Sequence, residues 1–160
     1  MPNIELQTII HAPIERCFDL ARSIDLHKLS TGGTNEEAIA GVTTGLISGG
    51  EEVTWRAKHF GITQTLSSRI TAFERPYYFR DEMIKGAFKM IRHDHIFEEK
   101  QGYTLMSDKF RFESPGWIFG DIFNTLVLKK YLGSLLKKRN NIIKQVAETD
   151  QWKEILTVRQ

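Results

Sequence analysis

The chain has few of the features that would tie it to a compartment, a nucleic acid or a membrane. There is one cysteine, Cys17, so no disulfide can form within the chain, and the cytoplasm is the expected compartment. The 22 basic and 20 acidic side chains nearly cancel to a net +2. That balance lacks the basic excess of a nucleic-acid binder, so no nucleic-acid partner is expected. No run of about 18 apolar residues occurs, which excludes a helical span and argues against stable membrane insertion. The opening stretch MPNIELQTII has no basic start, and Glu5 interrupts its first apolar run, unlike a secretory signal. Internal repeats, low-complexity tracts and linker-like segments are also missing. Residues 1–148 therefore read as one domain, with 149–160 as a tail or helix extension.

Nucleotide-binding and nucleophile signatures are missing as well. The glycine-bearing stretch Gly41–Gly50 lacks the lysine followed by Ser or Thr of a phosphate loop, and no dinucleotide-binding fingerprint opens a helix. No Ser–His–acid arrangement shows in local spacing. Cys17 sits among Ile14, Phe18 and Ala21 on one apolar helix face, where packing is the natural role of a thiol.

What is present is periodicity. Asn3–His11 alternates as a strand, and Ala12-Pro13 then opens a helix. A short helix over Ile24–Leu29 follows. Strands are predicted over Asn35–Ala40, Glu51–Phe60, Ile62–Phe73, Pro76–Met83, Phe88–Glu98 and Tyr103–Glu113. From Trp117 to about Glu148 the period changes to 3.6, with Leu126, Leu128, Leu132, Leu136, Ile143 and Val146 on the apolar side. Lys129, Lys130, Lys137, Lys138 and Arg139 read as the solvated face of that helix, with Gly120 and Gly133 as candidate kinks. The fold class is α+β. A curved seven-stranded antiparallel sheet wraps one long C-terminal helix, and two short helices follow strand 1. One helix cannot fill the concavity of such a sheet, so an apolar cavity is expected between them.

Alternation sorts the strand faces. Val53, Trp55, Ala57 and His59 face inward on one strand, and Ile62, Gln64, Leu66, Ser68 and Ile70 on the next. Tyr77, Phe79 and Asp81 form the inner set of the following strand. In the last hairpin the inner set is Ile91, His93, His95 and Phe97, facing Met106, Asp108, Phe110 and Phe112. A two-residue turn at Lys100-Gln101 pairs His93 with Asp108, and a four-residue loop pairs His95 with Asp108. Either register sets a histidine beside an inward carboxylate, about 5 Å away. An inward Asp is costly unless paired. Three roles remain open for the pair: a satisfied polar network, an anchor for a ligand's hydroxyl or carbonyl, and acid–base chemistry with His93, His95 and Asp108 as candidate catalytic residues. Two histidines at i, i+2 also share a face as zinc ligands do. No third convergent His or Cys is evident unless curvature brings His59 near, so no metal and no cofactor are expected.

The segments IIHAPIERCFDLARSIDLH and FERPYYFRDEMIKGAFKMIRHDHIFEE, followed by GYTLMSDKFRFESPGWIFG, resemble the START-related helix-grip (SRPBCC) superfamily. Within it they look like a bacterial polyketide-cyclase-like or cell-division-inhibitor-like subgroup. The matching positions are Pro76, Gly86, Phe88, His93, His95, Phe97, Thr104, Met106, Asp108, Pro115 and Gly116, with Ala87 where a proline often stands. The resemblance implies a helix-grip fold and a carrier or sensor of a hydrophobic small molecule such as a lipid, polyketide or aromatic compound. The expected lining is Val53, Trp55, Leu66, Ile70, Phe79, Phe88, Met90, Ile91, Phe97, Met106, Phe110, Trp117 and Phe123, with His93, His95 and Asp108 orienting the ligand. Phe88 and Met90 conflict in parity with Ile91 unless a bulge intervenes. The rival readings are a cyclase, dehydratase or hydrolase using the His/Asp pair, and a protein-interaction domain with a filled cavity.

Overall fold

A computed structural model describes residues 1–114 and 121–156, with side chains from residue 125 onward in the long helix. Strand β1 (Asn3–Ile10) leads into α1 (Ile14–Ala21) and α2 (Ile24–Ser30). Strands β2 (Glu37–Gly41), β3 (Glu52–His59), β4 (Ile62–Glu74), β5 (Tyr78–Lys85), β6 (Met90–Lys100) and β7 (Tyr103–Glu113) follow, then α3 (Asp121–Glu148) and α4 (Gln151–Leu156). The strands form one antiparallel sheet in the order β1-β7-β6-β5-β4-β3-β2. The expected fold is present, and Gly133 lies within a continuous α3. Among the described residues no helix is long and apolar enough to cross a membrane.

Local chemistry sets the boundaries. Pro13 is the cap of α1 rather than its first residue, and Ser23 caps α2 by accepting the Leu26 amide at 3.1 Å. The sheet bends where register shifts between Ile70 and Ala72 and between Ser67 and Ser68 of β4. The first of these shifts lets Phe73, beyond the alternating set that ends at Ile70, pair with inward Phe79. Tyr77 precedes β5 and is exposed, so it leaves the predicted inner set. Residues 149–156 do not continue α3. After Thr149-Asp150 the chain turns into α4, whose Trp152 ring lies 4.1 Å under the Arg16 guanidinium of α1.

Gly41 marks a close approach. Its φ is +73°, and a Cβ there would stand 2.2 Å from the Glu52 carbonyl oxygen of β3. The Gly41→Ala variant is expected to lose about 2–3 kcal/mol, from the left-handed backbone and the forced shift of β2 on β3. Urea unfolding of both proteins measures this, and an unchanged midpoint would refute the account.

The core divides into two clusters. The larger lies under α1 and α2. Ile10, Cys17, Phe18, Leu20, Leu26, Met106 and Ile143 are sealed there, together with Val53, Trp55, Ile70, Phe79 and Phe97. A crevice at this end, lined by Leu20, Ala21, Leu26, His27, Ser30, Arg139 and Ile143, leaves no room for a water molecule. The smaller cluster centres on Ile4, Ile91, Phe110, Phe112 and Leu136. Around it stand Leu6, Leu66, Met83, Phe88, Leu128 and Leu132, all only partly buried.

Candidate functional site

The hairpin β6–β7 builds the site. Its turn is Gln101-Gly102 rather than Lys100-Gln101, because the turn needs a positive φ and Gly102 supplies it at +84°. That places Lys100 opposite Tyr103, Phe97 opposite Met106, and His95 opposite Asp108. His93 pairs across with Phe110 on one side and with Asp81 on the other. The rings of His93 and His95 lie 3.7 Å apart, centroid to centroid. Asp94, between them, points to the outer face, where Tyr78 and Arg80 satisfy it at 2.5 and 2.7 Å.

Asp108 is the hub and is 1% exposed. His93 Nε2 lies 2.8 Å from its Oδ1, and Asn140 Nδ2 donates to its Oδ2 at 2.7 Å. Arg139 Nη1 stands 3.6 Å from Oδ1, while Arg139 Nη2 donates to the Ala21 carbonyl at 3.0 Å. His95 Nδ1 lies 3.2 Å from Oδ1 but off the direction a hydrogen bond requires, so this buried nitrogen has no hydrogen-bond partner. The far nitrogen of His95, Nε2, faces Asp81 Oδ2 at 3.7 Å.

The electrostatics follow from burial and pairing. Burial alone would raise the Asp108 carboxyl. The hydrogen bond from His93, the adjacent His95 ring and the Arg139 charge outweigh it and hold the carboxyl well below the usual range. For His93, burial and the neighbouring His95 dominate over Asp108 and push the ring down to about 4. It is therefore neutral at neutral pH and a weak base, with Nε2 already taken by Asp108. Asp81 is raised by burial and lowered more by the two rings and Arg139, for a net lowering. Burial also lowers Arg139 despite the nearby Asp108 and Asp81 carboxylates.

The structure sorts the expected lining residues into three groups. Val53, Trp55, Ile70, Phe79, Phe97 and Met106 pack in the sealed cluster beneath α1, and Phe79 stacks on His95 at 4.1 Å. Leu66, Phe88, Ile91 and Phe110 belong to the second, looser cluster. Phe88 reaches it because it lies in the loop before β6, where strand parity does not apply, and its ring meets Phe112 edge-on at 6.0 Å. Met90 pairs with Glu113, on the parity opposite to Ile91 and thus outside the inner set. Trp117 and the side chain of Phe123 lie outside the described residues.

Sequence reading misses two members of the site and misassigns one of them. Arg139 reads as solvated with its lysine neighbours, yet it is 7% exposed, and Asn140 beside it is 2% exposed. The available signal is helical spacing. Arg139 and Asn140 fall three and four residues after Leu136 and four and three before Ile143, on the buried stripe. Leu126, expected on the apolar side, is instead 70% exposed.

Solved structures place this architecture. A START superfamily protein from Mycobacterium smegmatis superposes with a TM-score of 0.69 at 11% identity, covering 91% of this chain and 97% of that one. The chain has the helix-grip fold. TTHA0849 from Thermus thermophilus aligns at 0.67 and 20% identity over 91% and 99% of the two chains. Major latex-like protein 151 from Panax ginseng aligns at 0.66 and 16% over 92% and 98%. No family model and no curated protein matches the sequence.

Proposed function

We propose that this helix-grip domain binds a hydrophobic small molecule between the β4–β7 face and the first half of α3, in the manner of a carrier or sensor. One observation carries the reading. Leu6, Leu66, Met83, Phe88, Leu128 and Leu132 converge around the second cluster, yet the chain's own packing covers them only in part. At the other end Val53, Trp55, Phe79 and Phe97 are sealed, and the partly buried side chains beside them, such as Phe73, Ile142 and Trp152, lie around a much larger sealed set. Partly covered apolar side chains on the inner sheet face, beside a few fixed polar groups, would suit a ligand with an apolar body and one polar end. Asp81, whose side chain is 31% accessible, and His93, whose ring meets Phe110 of that cluster edge-on at 5.2 Å, would orient the polar end, with His95 behind them.

The test is thermal unfolding with oleate and with 1-anilinonaphthalene-8-sulfonate as probes. A probe at a hundred times its dissociation constant stabilises by about 2.7 kcal/mol, which raises Tm by several degrees in a domain of this size. Leu66→Ala and Leu132→Ala are expected to weaken that rise. If neither probe, nor any panel of lipids and aromatics at saturating levels, moves Tm, the proposal fails.

A further inference from the structure

One nitrogen of His93, one nitrogen of His95 and a carboxylate oxygen of Asp81 all lie within 4.8 Å of one another. The third donor is a carboxylate from β5, the neighbouring strand, which spacing along β6 does not reveal. We propose that these three side chains bind a first-row divalent transition ion such as Zn²⁺, with Asp108 as the group that orients both rings. The inference does not depend on the ligand reading.

The hydrogen-bond directions support it. His93 Nε2 is bonded to Asp108 at 2.8 Å, so its free nitrogen is Nδ1. His95 Nδ1 faces the same Asp108 oxygen at 3.2 Å, which leaves Nε2 directed at Asp81 Oδ2, 3.7 Å away. Metal-bound imidazoles usually pair their second nitrogen with a carboxylate, as His93 does with Asp108, and the same carboxylate lies 3.2 Å from His95 Nδ1. Asp108 is itself fixed by Asn140 at 2.7 Å and neighboured by Arg139, so the orienting group is rigid.

His95 also raises a problem of charge that a cation resolves. It lies between the carboxylates of Asp108 and Asp81. In either neutral tautomer one ring lone pair points at a carboxylate oxygen, an unfavourable contact in a buried place. If Nδ1 carries the proton, Nε2 and Asp81 both present lone pairs to the space between them. An ion there converts the repulsion into two coordinate bonds. Two ligands on a tetrahedral zinc, each about 2.0–2.1 Å from it, stand about 3.3 Å apart. The His95–Asp81 separation of 3.7 Å is already near that spacing, and the three donors lie within 4.8 Å of one another.

Three protein donors leave a fourth position open, as in zinc sites that take water or a substrate oxygen. Asp81 keeps 31% of its side chain accessible while His95 keeps 2%, so the open position lies on the Asp81 side. An ion held there would take an oxygen donor, a hydroxyl or carboxylate, from a bound molecule.

The experiment uses the full chain without an added histidine tract, stripped with EDTA and titrated with Co²⁺. The expected result is a visible ligand-field band that saturates at one ion per chain and is displaced by Zn²⁺. Asp81→Asn, at the accessible end of the site, should keep the fold and weaken Co²⁺ binding at least about tenfold. Asp108→Asn should weaken it about 10–100-fold through the lost orientation of the rings. Absence of the band, or binding unaltered in Asp81→Asn, overturns the proposal. So does a ¹⁵N spectrum of the stripped protein plus Zn²⁺ in which His95 stays protonated on both nitrogens, because a proton then supplies the bridging charge. Oleate binding is followed in parallel on the stripped protein. Its persistence with no metal uptake sinks this inference alone, and metal uptake without oleate binding sinks the ligand reading alone.

Discussion

Replacing Asp108 with alanine is expected to destabilise the fold by about 3–5 kcal/mol, the cost of removing one partner from a buried charged network. The size comes from what is left behind. His93 loses its 2.8 Å partner, Asn140 loses its 2.7 Å acceptor, and Arg139 becomes a buried cation whose nearest carboxylate has gone. All three residues are at most 7% exposed, so water cannot substitute without opening the helix–sheet contact. Asp108→Asn keeps the shape and an acceptor oxygen for Asn140 but removes the charge, and should cost less, about 1–3 kcal/mol. Arg139→Met made together with Asp108→Ala should recover part of the loss, since the orphaned charge is then removed with its partner. Urea unfolding of the wild type, the two single variants and the double variant forms a double-mutant cycle. A loss below about 1 kcal/mol for Asp108→Ala, or strict additivity with Arg139→Met, would show that the network does not hold α3 to β7.

The same residues show how far a sequence can be read. Period-two alternation places His93, His95 and Asp108 on one face correctly, because one-sided burial of an antiparallel sheet leaves little freedom. Their register stays between two choices, since it depends on one turn residue. The positive φ of Gly102 decides it, and the glycine is visible in the sequence. Arg139 is lost for a different reason. Its charge and lysine neighbours outweigh its position on the stripe, although spacing from Leu136 and Ile143 argues for burial. The contribution of Asp81 cannot be read from one strand at all. It depends on β5 pairing with β6 so that Asp81 meets His93, a juxtaposition that exists only once the sheet is assembled.

The two clusters give the domain a division of labour that burial pattern alone reveals. Walls inferred from alternation form a single set, because alternation distinguishes inside from outside and says nothing about what stands opposite. The two short helices press on one end of the sheet and seal Val53, Trp55, Phe79 and Phe97. Among the described side chains of α3, those from 126 to 132 do not press comparably on the other. Leu126 is 70% exposed, and Leu128 and Leu132 are only partly buried. The Asp108 hub lies where α3 packs through Arg139 and Asn140. A ligand or ion at Asp81 would thus act on a rigid floor with a looser wall above it.

Phe18 tests that division from the sealed side. It is fully buried in α1, and its ring meets Phe73, Phe79 and Phe97 edge-on with centroids 5.3–5.4 Å away. Phe18→Ala removes the ring from all three contacts and opens a void that a rigid sheet closes poorly. The expected loss is about 3–5 kcal/mol. Phe18→Leu retains much of the volume and should cost about 1–1.5 kcal/mol. Because the Phe18 ring packs on Phe73, Phe79 and Phe97 rather than on Leu66 and its neighbours, Phe18→Leu should leave oleate affinity within about twofold. Leu66→Ala should do the opposite, with a smaller stability loss because the side chain is only partly buried, and clearly weaker oleate binding. Unfolding midpoints and probe titrations on the three variants measure both effects. If Phe18→Leu weakens the probe as much as Leu66→Ala does, the two clusters act as one, and the binding surface extends into the sealed end. If the effects separate, α1 serves to hold the floor, and ligand contact is confined to the β4–β7 face and α3.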